Sequence, residues 1–152
     1  MKSNQVEIKP ASLLHIDKIL PLFSSYAKFS NIVRDEESYR EFLTQQINSE
    51  NTLILVAFIE QKAVAFLQVF KVHSTLAMKQ SWLLNDLFVD IQYRRIKIAT
   101  KLIQFLFEFA QANKVFSVKL TTEKTNFAAI SLYQSQSFEQ IDSHYIFSKK
   151  VN

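Results

Sequence analysis

A basic segment between a strand-like run and a helix-like run carries the clearest chemical signal in this chain of 152 residues. Three cationic side chains, Arg94, Arg95 and Lys97, stand just before Ala99–Ala112, whose apolar spacing predicts an amphipathic helix. The first turn of a helix has backbone N–H groups with no helical acceptor, and the helix dipole is positive there. We therefore predict an anion site suited to a phosphate-bearing ligand. The alternative is a solvated basic loop that leads into a core helix.

A second segment places a tyrosine at the end of a predicted helix. This helix extends from Asn126 to Gln134, and Asn126 is a good N-cap residue. The ring of Tyr133 can pack inside the protein while its hydroxyl reaches a cleft. The alternative is an aromatic residue that has a packing role only.

Both segments resemble motifs of the GNAT superfamily, the acyl-CoA-dependent N-acyltransferases, and the order of elements is similar over essentially the whole chain. In that family a strand ending like Leu87, Phe88 and Val89 precedes a turn of the form Q/R-x-x-G-x-G/A, whose amides bind the CoA pyrophosphate. The corresponding residues here are Arg94, Arg95, Ile96, Lys97, Ile98 and Ala99, followed by Thr100. Lys97 stands where the family has its central glycine. By resemblance, this strand end and this turn bind acetyl-CoA.

The segment after Asn126 is similar to the family's N-x-x-A-x-x-L-Y-x-x-x-G-F element, with Ser137 in place of glycine. The resemblance implies that Asn126 contacts the CoA arm. It implies that Tyr133 also lies against CoA and protonates the departing thiolate. Backbone N–H groups near Phe88 and Val89, on a strand splayed from its neighbour, would orient the acetyl carbonyl and the pantetheine.

The implied reaction moves an acetyl group from acetyl-CoA to a primary amine by direct attack in a ternary complex, since the chain has no cysteine to carry the acetyl group. The family often has Glu at the position of Asn85, and an amide cannot accept the amine proton. Asp86 is the nearest carboxylate, so we take it as the candidate catalytic base, acting through water. The residues that could replace it are His73, Glu123 and Tyr145.

The acceptor amine is predicted only as a class. A small polyamine-like or amino-sugar-like molecule, or a protein lysine, fits the resemblance. Trp82, Tyr26 and Phe29 could line its pocket, because a cationic amine favours aromatic faces, although core packing is the alternative for each. The first two helices and residues 24–35 shape the acceptor site in this family, and here they contain no motif that identifies the substrate.

The elements that must position these residues alternate along the chain: a strand, two helices, three strands, a helix, a strand, a helix and two strands. This order predicts an α/β (α+β) fold in one domain, residues 1–152, with a mixed, mostly antiparallel sheet of six to seven strands flanked by about four helices. The two closing strands are Phe138–Ile141 and His144–Ser148. Their apolar character suggests, by analogy with family dimers, that they pair with a second subunit.

Composition limits the other classes of function. Without cysteine the chain has no disulfide and no Cys-based metal site, and three scattered histidines give no support for a metal centre. No apolar run approaches the roughly 20 residues of a membrane span, so we expect a cytoplasmic protein with no membrane partner. The net charge of +4 comes from dispersed residues, which permits a nucleic-acid partner without indicating one.

The chain also contains no glycine. About ten glycines are expected at this length, and the chance of none is on the order of one in 10^5. This excludes the glycine-dependent dinucleotide and ATP loops. Two interpretations stay open: an unusual natural composition, or engineered removal of glycine from a natural acetyltransferase. The changes at Lys97 and Asn85 also leave open a catalytically impaired or non-catalytic GNAT-fold module, used for CoA sensing, oligomerisation or as an engineered folding model.

Overall fold

The computed structural model describes residues 5–152 and divides the chain into two units, Met1–Thr121 and Thr122–Asn152. The described part of the first unit contains five strands, β1 to β5, and three α-helices, α1 to α3, besides two short 3-10 helices. In chain order they are β1 (Glu7–Pro10), α1 (Ile16–Phe29), α2 (Glu36–Asn48), β2 (Thr52–Ile59), β3 (Lys62–Ser74), β4 (Lys79–Val89), α3 (Ile98–Ala112) and β5 (Ser117–Lys119). The second unit contains α4 (Phe127–Ser135).

The five strands form one sheet in the order β1-β2-β3-β4-β5. The first three pairings are antiparallel, and β5 pairs with β4 in parallel. The predicted six- to seven-stranded, mostly antiparallel sheet is therefore corrected to a five-stranded mixed sheet over residues 5–152. The prediction of an α+β fold with four helices is confirmed.

The prediction of two closing strands, Phe138–Ile141 and His144–Ser148, is wrong. No β-strand occurs after Ser137, and every residue from Glu139 to Asn152 is exposed; Tyr145 and Phe147 are 90% and 91% exposed. An apolar pattern favours strand backbone locally, but it does not supply the neighbouring strand that a ladder needs. The dimer expected through these segments consequently has no strand to support it.

Helices cover both faces of the central strands. Leu53–Ile59 of β2 and Ala63–Val69 of β3 are buried continuously, which is the pattern of strands covered on both sides. Helices α1 and α2 pack on one face, where Ile54, Val56 and Phe66 belong to their core. Helix α3 packs against β2, β3 and β4. Over the described residues no helix is both long enough and apolar enough to cross a membrane.

A β-bulge in β4 decides which face its side chains reach. Gln68 of β3 pairs with Asp86, and the next pair is Val69 with Leu84, so Asn85 is an extra residue in β4. Residues an even number apart on a regular strand share a face. The ring of Trp82, however, contacts Phe109 of α3, while Phe88 contacts α1. The bulge thus turns Asp86 and Phe88 towards α1.

The glycine-free chain adopts left-handed backbone with other residues. Three helices end in a Schellman motif, in which the residue with positive φ is Asn31 after α1, Lys114 after α3 and Ser137 after α4, at 57°, 55° and 64°. The paired bonds that define the motif are present each time, for example Lys114 N–H to Gln111 O and Val115 N–H to Ala110 O. The left-handed conformation costs each non-glycine residue about 1–2 kcal/mol of conformational free energy.

Candidate functional site

The turn before α3 has left-handed backbone at Lys97, the position where the resembling family has its central glycine. Lys97 is the N-cap residue, at φ 62° and ψ 26°, so its side chain does not prevent the left-handed conformation. The helix begins at Ile98, one residue earlier than predicted. The amides of Ile98, Ala99 and Thr100 have no helical acceptor, and no side chain caps this end of the helix. The turn therefore presents N–H groups at the positive end of the helix dipole.

Cationic side chains surround this helix end. Arg95, Lys97 and Lys101 are exposed, and within residues 5–152 no carboxylate lies at ion-pair distance from any of them. Arg95 also has a left-handed backbone, at φ 64°. The local electrostatics are therefore those of an anion site, because backbone dipoles and side-chain charges have the same sign.

Strand β4 leaves one edge open next to this turn. Only Ser81, Trp82 and Leu83 pair with β5, so the stretch from Leu84 to Val89 has no strand on that side in the described chain. Its other edge pairs with β3, where Phe88 lies opposite Phe66 and Leu87 opposite Leu67. Outward N–H groups near Phe88 and Val89 can thus bond to an extended ligand, as the resemblance implies, whereas the Val89 carbonyl already accepts a bond from Arg94 Nε.

Five side chains from α1, from β4 and from the turn after β4 lie together on the face of the sheet towards α1. We call them the α1–β4 cluster: Tyr26, Phe29, Asp86, Phe88 and Arg94. The Tyr26 hydroxyl donates a hydrogen bond to Asp86 Oδ1 at 2.8 Å, and Asn85 Nδ2 donates to Oδ2 at 2.7 Å. The ring of Phe88 lies 5.3 Å from that of Tyr26 and 6.1 Å from that of Phe29. Phe88 is buried, Tyr26 and Asp86 are half-buried, and the other two side chains are exposed. The polar groups of the cluster are therefore accessible from solvent.

The side chain of Arg94 contacts other parts of the protein, unlike the exposed side chains of Arg95 and Lys97. Its Nε donates to the Val89 carbonyl at 3.0 Å. Its guanidinium carbon lies 5.1 Å from the centre of the Phe29 ring and 5.7 Å from that of Phe88. The Arg94 side chain is therefore directed towards the α1–β4 cluster.

The other predicted residues of the first unit lie elsewhere. Trp82 is 1% exposed and donates from Nε1 to Gln80, so it packs on the α3 side and does not line a pocket with Tyr26. His73 is exposed and pairs with Gln80 at the far end of β3. It is five residues along the strand from the partner of Asp86, or roughly 16 Å at about 3.3 Å per residue.

The second unit contains the other predicted groups. The Asn126 side chain accepts a hydrogen bond from the Ala129 amide at 3.2 Å, so it caps α4 as predicted. The Tyr133 ring is half-buried and lies 5.5 Å from the Phe138 ring, edge to face. Burial raises the pKa of the Tyr133 hydroxyl above its ordinary value, which keeps the phenol protonated to higher pH. Glu123 and Tyr145, the alternative proton acceptors in this unit, are exposed.

Sequence reasoning missed the contacts that join α1 to β4. Tyr26 and Asp86 are 60 residues apart, and nothing in the pattern around either residue indicates the hydrogen bond. The orientation of Arg94 was also missed, since a basic residue in a basic turn reads as one more phosphate ligand. Among the described residues no group of three or more His, Asp or Glu side chains could hold a metal ion.

Comparison with known proteins identifies the family. The family model described as "Acetyltransferase (GNAT) family" matches residues 19–138. The Uncharacterized N-acetyltransferase YhfO of Bacillus subtilis is 28% identical over 135 residues, which cover 89% of this chain and 91% of that protein.

Solved structures agree with this assignment. A crystal structure of a probable acetyltransferase has a TM-score of 0.90 and 26% identity, covering 96% of this chain and 98% of that one. The aminoglycoside N-acetyltransferase AAC(6')-Iy in complex with CoA has the same fold, with a TM-score of 0.84 and 14% identity over 99% and 98% of the two chains. This chain belongs to the GNAT acetyltransferase family.

Proposed function

We propose that the protein transfers the acetyl group of acetyl-CoA to a primary amine by direct attack in a ternary complex. The observation that carries the proposal is the turn before α3, which has the left-handed residue, the uncapped helix start and the cationic side chains of a pyrophosphate site although it lacks the motif glycine. One neighbour in fold is a CoA complex of an acetyltransferase, which supports the same ligand.

In this proposal the coenzyme contacts come mainly from backbone groups. The amides of the turn from Arg94 to Thr100 bind the pyrophosphate, and the side chains of Arg95 and Lys97 add charge. Leu87, Phe88 and Val89 bind the pantetheine along the open edge of β4. Asn126 contacts the CoA arm. The whole chain, residues 1–152, acts as a single domain.

The amine nitrogen attacks the thioester carbonyl carbon, a C–N bond forms and the C–S bond breaks. The amine proton passes through water to Asp86, and the departing thiolate takes a proton from the Tyr133 hydroxyl. The second role needs a protonated phenol, and burial, which raises the pKa of Tyr133, is compatible with that state. The acceptor classes left open by the sequence are a polyamine-like or amino-sugar-like molecule and a protein lysine.

An assay of thiol release from acetyl-CoA with a panel of amines tests the proposal. We expect release that depends on the amine, a product heavier by one acetyl group, and a loss of kcat of about 100-fold in Tyr133→Phe, the scale of general acid catalysis. No release with any amine, together with no CoA binding, would reject the proposal. CoA binding without transfer would instead favour a module that only senses CoA.

We also propose that glycine has been replaced in a backbone that a glycine-containing relative would share, by engineering or during evolution. The support is the presence of eight non-glycine residues at positive φ in the described chain, including Lys97 and Ser137, where the family has glycine. Glycine at the aligned positions of natural relatives with the same backbone is the expected finding. A relative whose backbone differs at these two turns would contradict it.

A further inference from the structure

The carboxylate of Asp86 is held by a hydrogen bond on each of its oxygens. The Tyr26 hydroxyl, on α1, donates to Oδ1 at 2.8 Å, and the Asn85 amide, on β4 itself, donates to Oδ2 at 2.7 Å. Gln68, the partner of Asp86 in the pairing of β3 with β4, donates instead to Gln46 of α2 at 3.4 Å. Because donors from two different elements engage the two oxygens, a rotation of the carboxylate would break at least one bond.

Both donors are neutral, and each oxygen of Asp86 can still accept another hydrogen bond. An ionised carboxylate has about four acceptor sites, and these bonds use one site on each oxygen. Over residues 5–152 no Lys, Arg or His side chain lies at ion-pair distance from Asp86. The residue is half-buried, so a water molecule can reach the remaining sites. Asp86 therefore has the geometry of a proton acceptor with a fixed direction and no competing cation.

Each donor reaches Asp86 through a different structural feature. Successive side chains of a regular strand point to opposite faces, so Asn85 and Asp86 could not bond to each other there. Asn85 is the extra residue of the β-bulge, which brings the two side chains together. Tyr26 is held by its ring, whose centre lies 5.5 Å from that of Phe66 and 5.3 Å from that of Phe88. The bulge thus positions one donor, and aromatic packing positions the other.

We infer that Tyr26 and Asn85 are positioning residues, which direct the Asp86 carboxylate towards the water that carries the amine proton. The inference rests on the proposed function, in which Asp86 is the base, and it assigns a role to the amide at position 85. That amide cannot take the proton, but it can donate a hydrogen bond to the carboxylate beside it. A base held in one direction acts on the rate of the chemical step, whereas acceptor binding depends on other contacts.

Single variants that remove one donor each test the inference by a split between kcat and KM. We expect kcat to fall about fivefold in Tyr26→Phe and in Asn85→Ala, the size of effect expected for one hydrogen bond. The KM for the acceptor and the KM for acetyl-CoA should stay within about twofold of the original. The control Tyr39→Phe removes a buried hydroxyl that has no hydrogen-bond partner in the described chain, and its kcat should be unchanged. Unchanged kcat in the two test variants, or an effect on KM alone, would overturn the inference.

A double-mutant cycle with Asp86→Asn distinguishes positioning from a structural role. If both residues act through the carboxylate, adding Tyr26→Phe or Asn85→Ala to Asp86→Asn should lower kcat further by less than about twofold. Effects that multiply in full would overturn the inference and leave acetyl transfer established. Full activity of Asp86→Asn alone would also overturn it, because there would be no base to position. No transfer from the unaltered protein to any amine, together with no CoA binding, would reject the proposed function and the inference with it.

Discussion

The turn before α3 and the α1–β4 cluster lie at the two ends of the same short stretch, from Asp86 to Ala99, yet they are built in different ways. The turn consists of consecutive residues, and its features are backbone conformations, with Lys97 at φ 62°. The cluster joins side chains from distant parts of the chain, such as Tyr26 and Asp86. The turn resembles the family motif although the motif glycine is missing. The contacts of the cluster depend on the particular side chains of this chain.

Under the proposed function, backbone groups bind the coenzyme and side chains bind the acceptor. A pyrophosphate bound by amides tolerates substitution as long as the backbone keeps its shape, at a cost of about 1–2 kcal/mol for a left-handed lysine. In a pocket made of side chains, a substitution changes the groups that contact the ligand and therefore the choice of ligand. We therefore expect variants of the cluster to change acceptor use, and variants of the turn to change coenzyme affinity or stability.

The largest effect is expected for Asp86→Asn, which removes the charge but keeps the shape. We expect kcat/KM for the acceptor to fall about 100-fold, the lower end of the range for general base catalysis, with the KM for acetyl-CoA unchanged. The carboxamide oxygen can still accept the Tyr26 hydroxyl, so the fold should be retained. Full activity in this variant would show that Asp86 is not the catalytic base. It would also contradict the assignment of the acceptor to the cluster and of the coenzyme to the turn.

A smaller effect is expected when the charges of the turn are removed in the double variant Arg95→Gln/Lys97→Gln. The KM for acetyl-CoA should rise about tenfold, because two exposed charges are lost and each exposed, screened charge pair is worth about 0.2–1 kcal/mol. The dependence of this KM on salt should weaken as well. An unchanged KM would mean that the turn is only a solvated basic loop.

Removal of single hydroxyl groups tests the connection between α1 and β4. Tyr26→Phe deletes the donor to Asp86, and we expect the free energy of unfolding to fall by about 1 kcal/mol and kcat/KM to fall severalfold. Tyr39→Phe is the matched control, because in the described chain the Tyr39 hydroxyl is buried without a hydrogen-bond partner. That variant should be as stable as the original or up to about 1 kcal/mol more stable. Equal effects of the two changes in denaturant unfolding would contradict the account.

The smallest effects are expected from glycine at the two ends of α3. Both Lys97 and Lys114 are left-handed, at φ 62° and 55°. Substitution by glycine relieves about 1–2 kcal/mol of strain and costs about 0.5–1 kcal/mol of chain entropy, so each variant should gain about 0.5–1 kcal/mol in stability. Only Lys97→Gly should weaken CoA binding, through the lost charge. Much tighter CoA binding by Lys97→Gly, measured by titration, would show that the lysine obstructs the site.

Much of the fold follows from local patterns in the sequence. The apolar spacing predicts α3 to within one residue of its observed start, and the polar residues 60–62 between two apolar runs predict the hairpin that links β2 and β3. In the structure Glu60 and Gln61 both take positive φ, at 48° and 67°, as the two central residues of such a turn do. These features depend on neighbours in sequence, so sequence alone can reveal them.

The rest depends on contacts that no local pattern contains. The bulge at Asn85 depends on how β4 pairs with β3, and it decides which side chains face α1. The closing strands were overpredicted because an apolar segment does not identify its partner strand. The same limit applies to the site: the basic turn before α3 is a local pattern that the sequence shows, whereas the bond between Tyr26 and Asp86 joins distant residues and has no local pattern.

A crystal structure with CoA bound would test the central claim most directly, namely that the turn binds the coenzyme and the α1–β4 cluster faces the acceptor. We expect the pyrophosphate on the amides of the Arg94–Ala99 turn with Lys97 still left-handed, and the sulfur nearer to Asp86 than to any other carboxylate. A pyrophosphate bound elsewhere, or the Lys97 side chain in its place, would contradict the account.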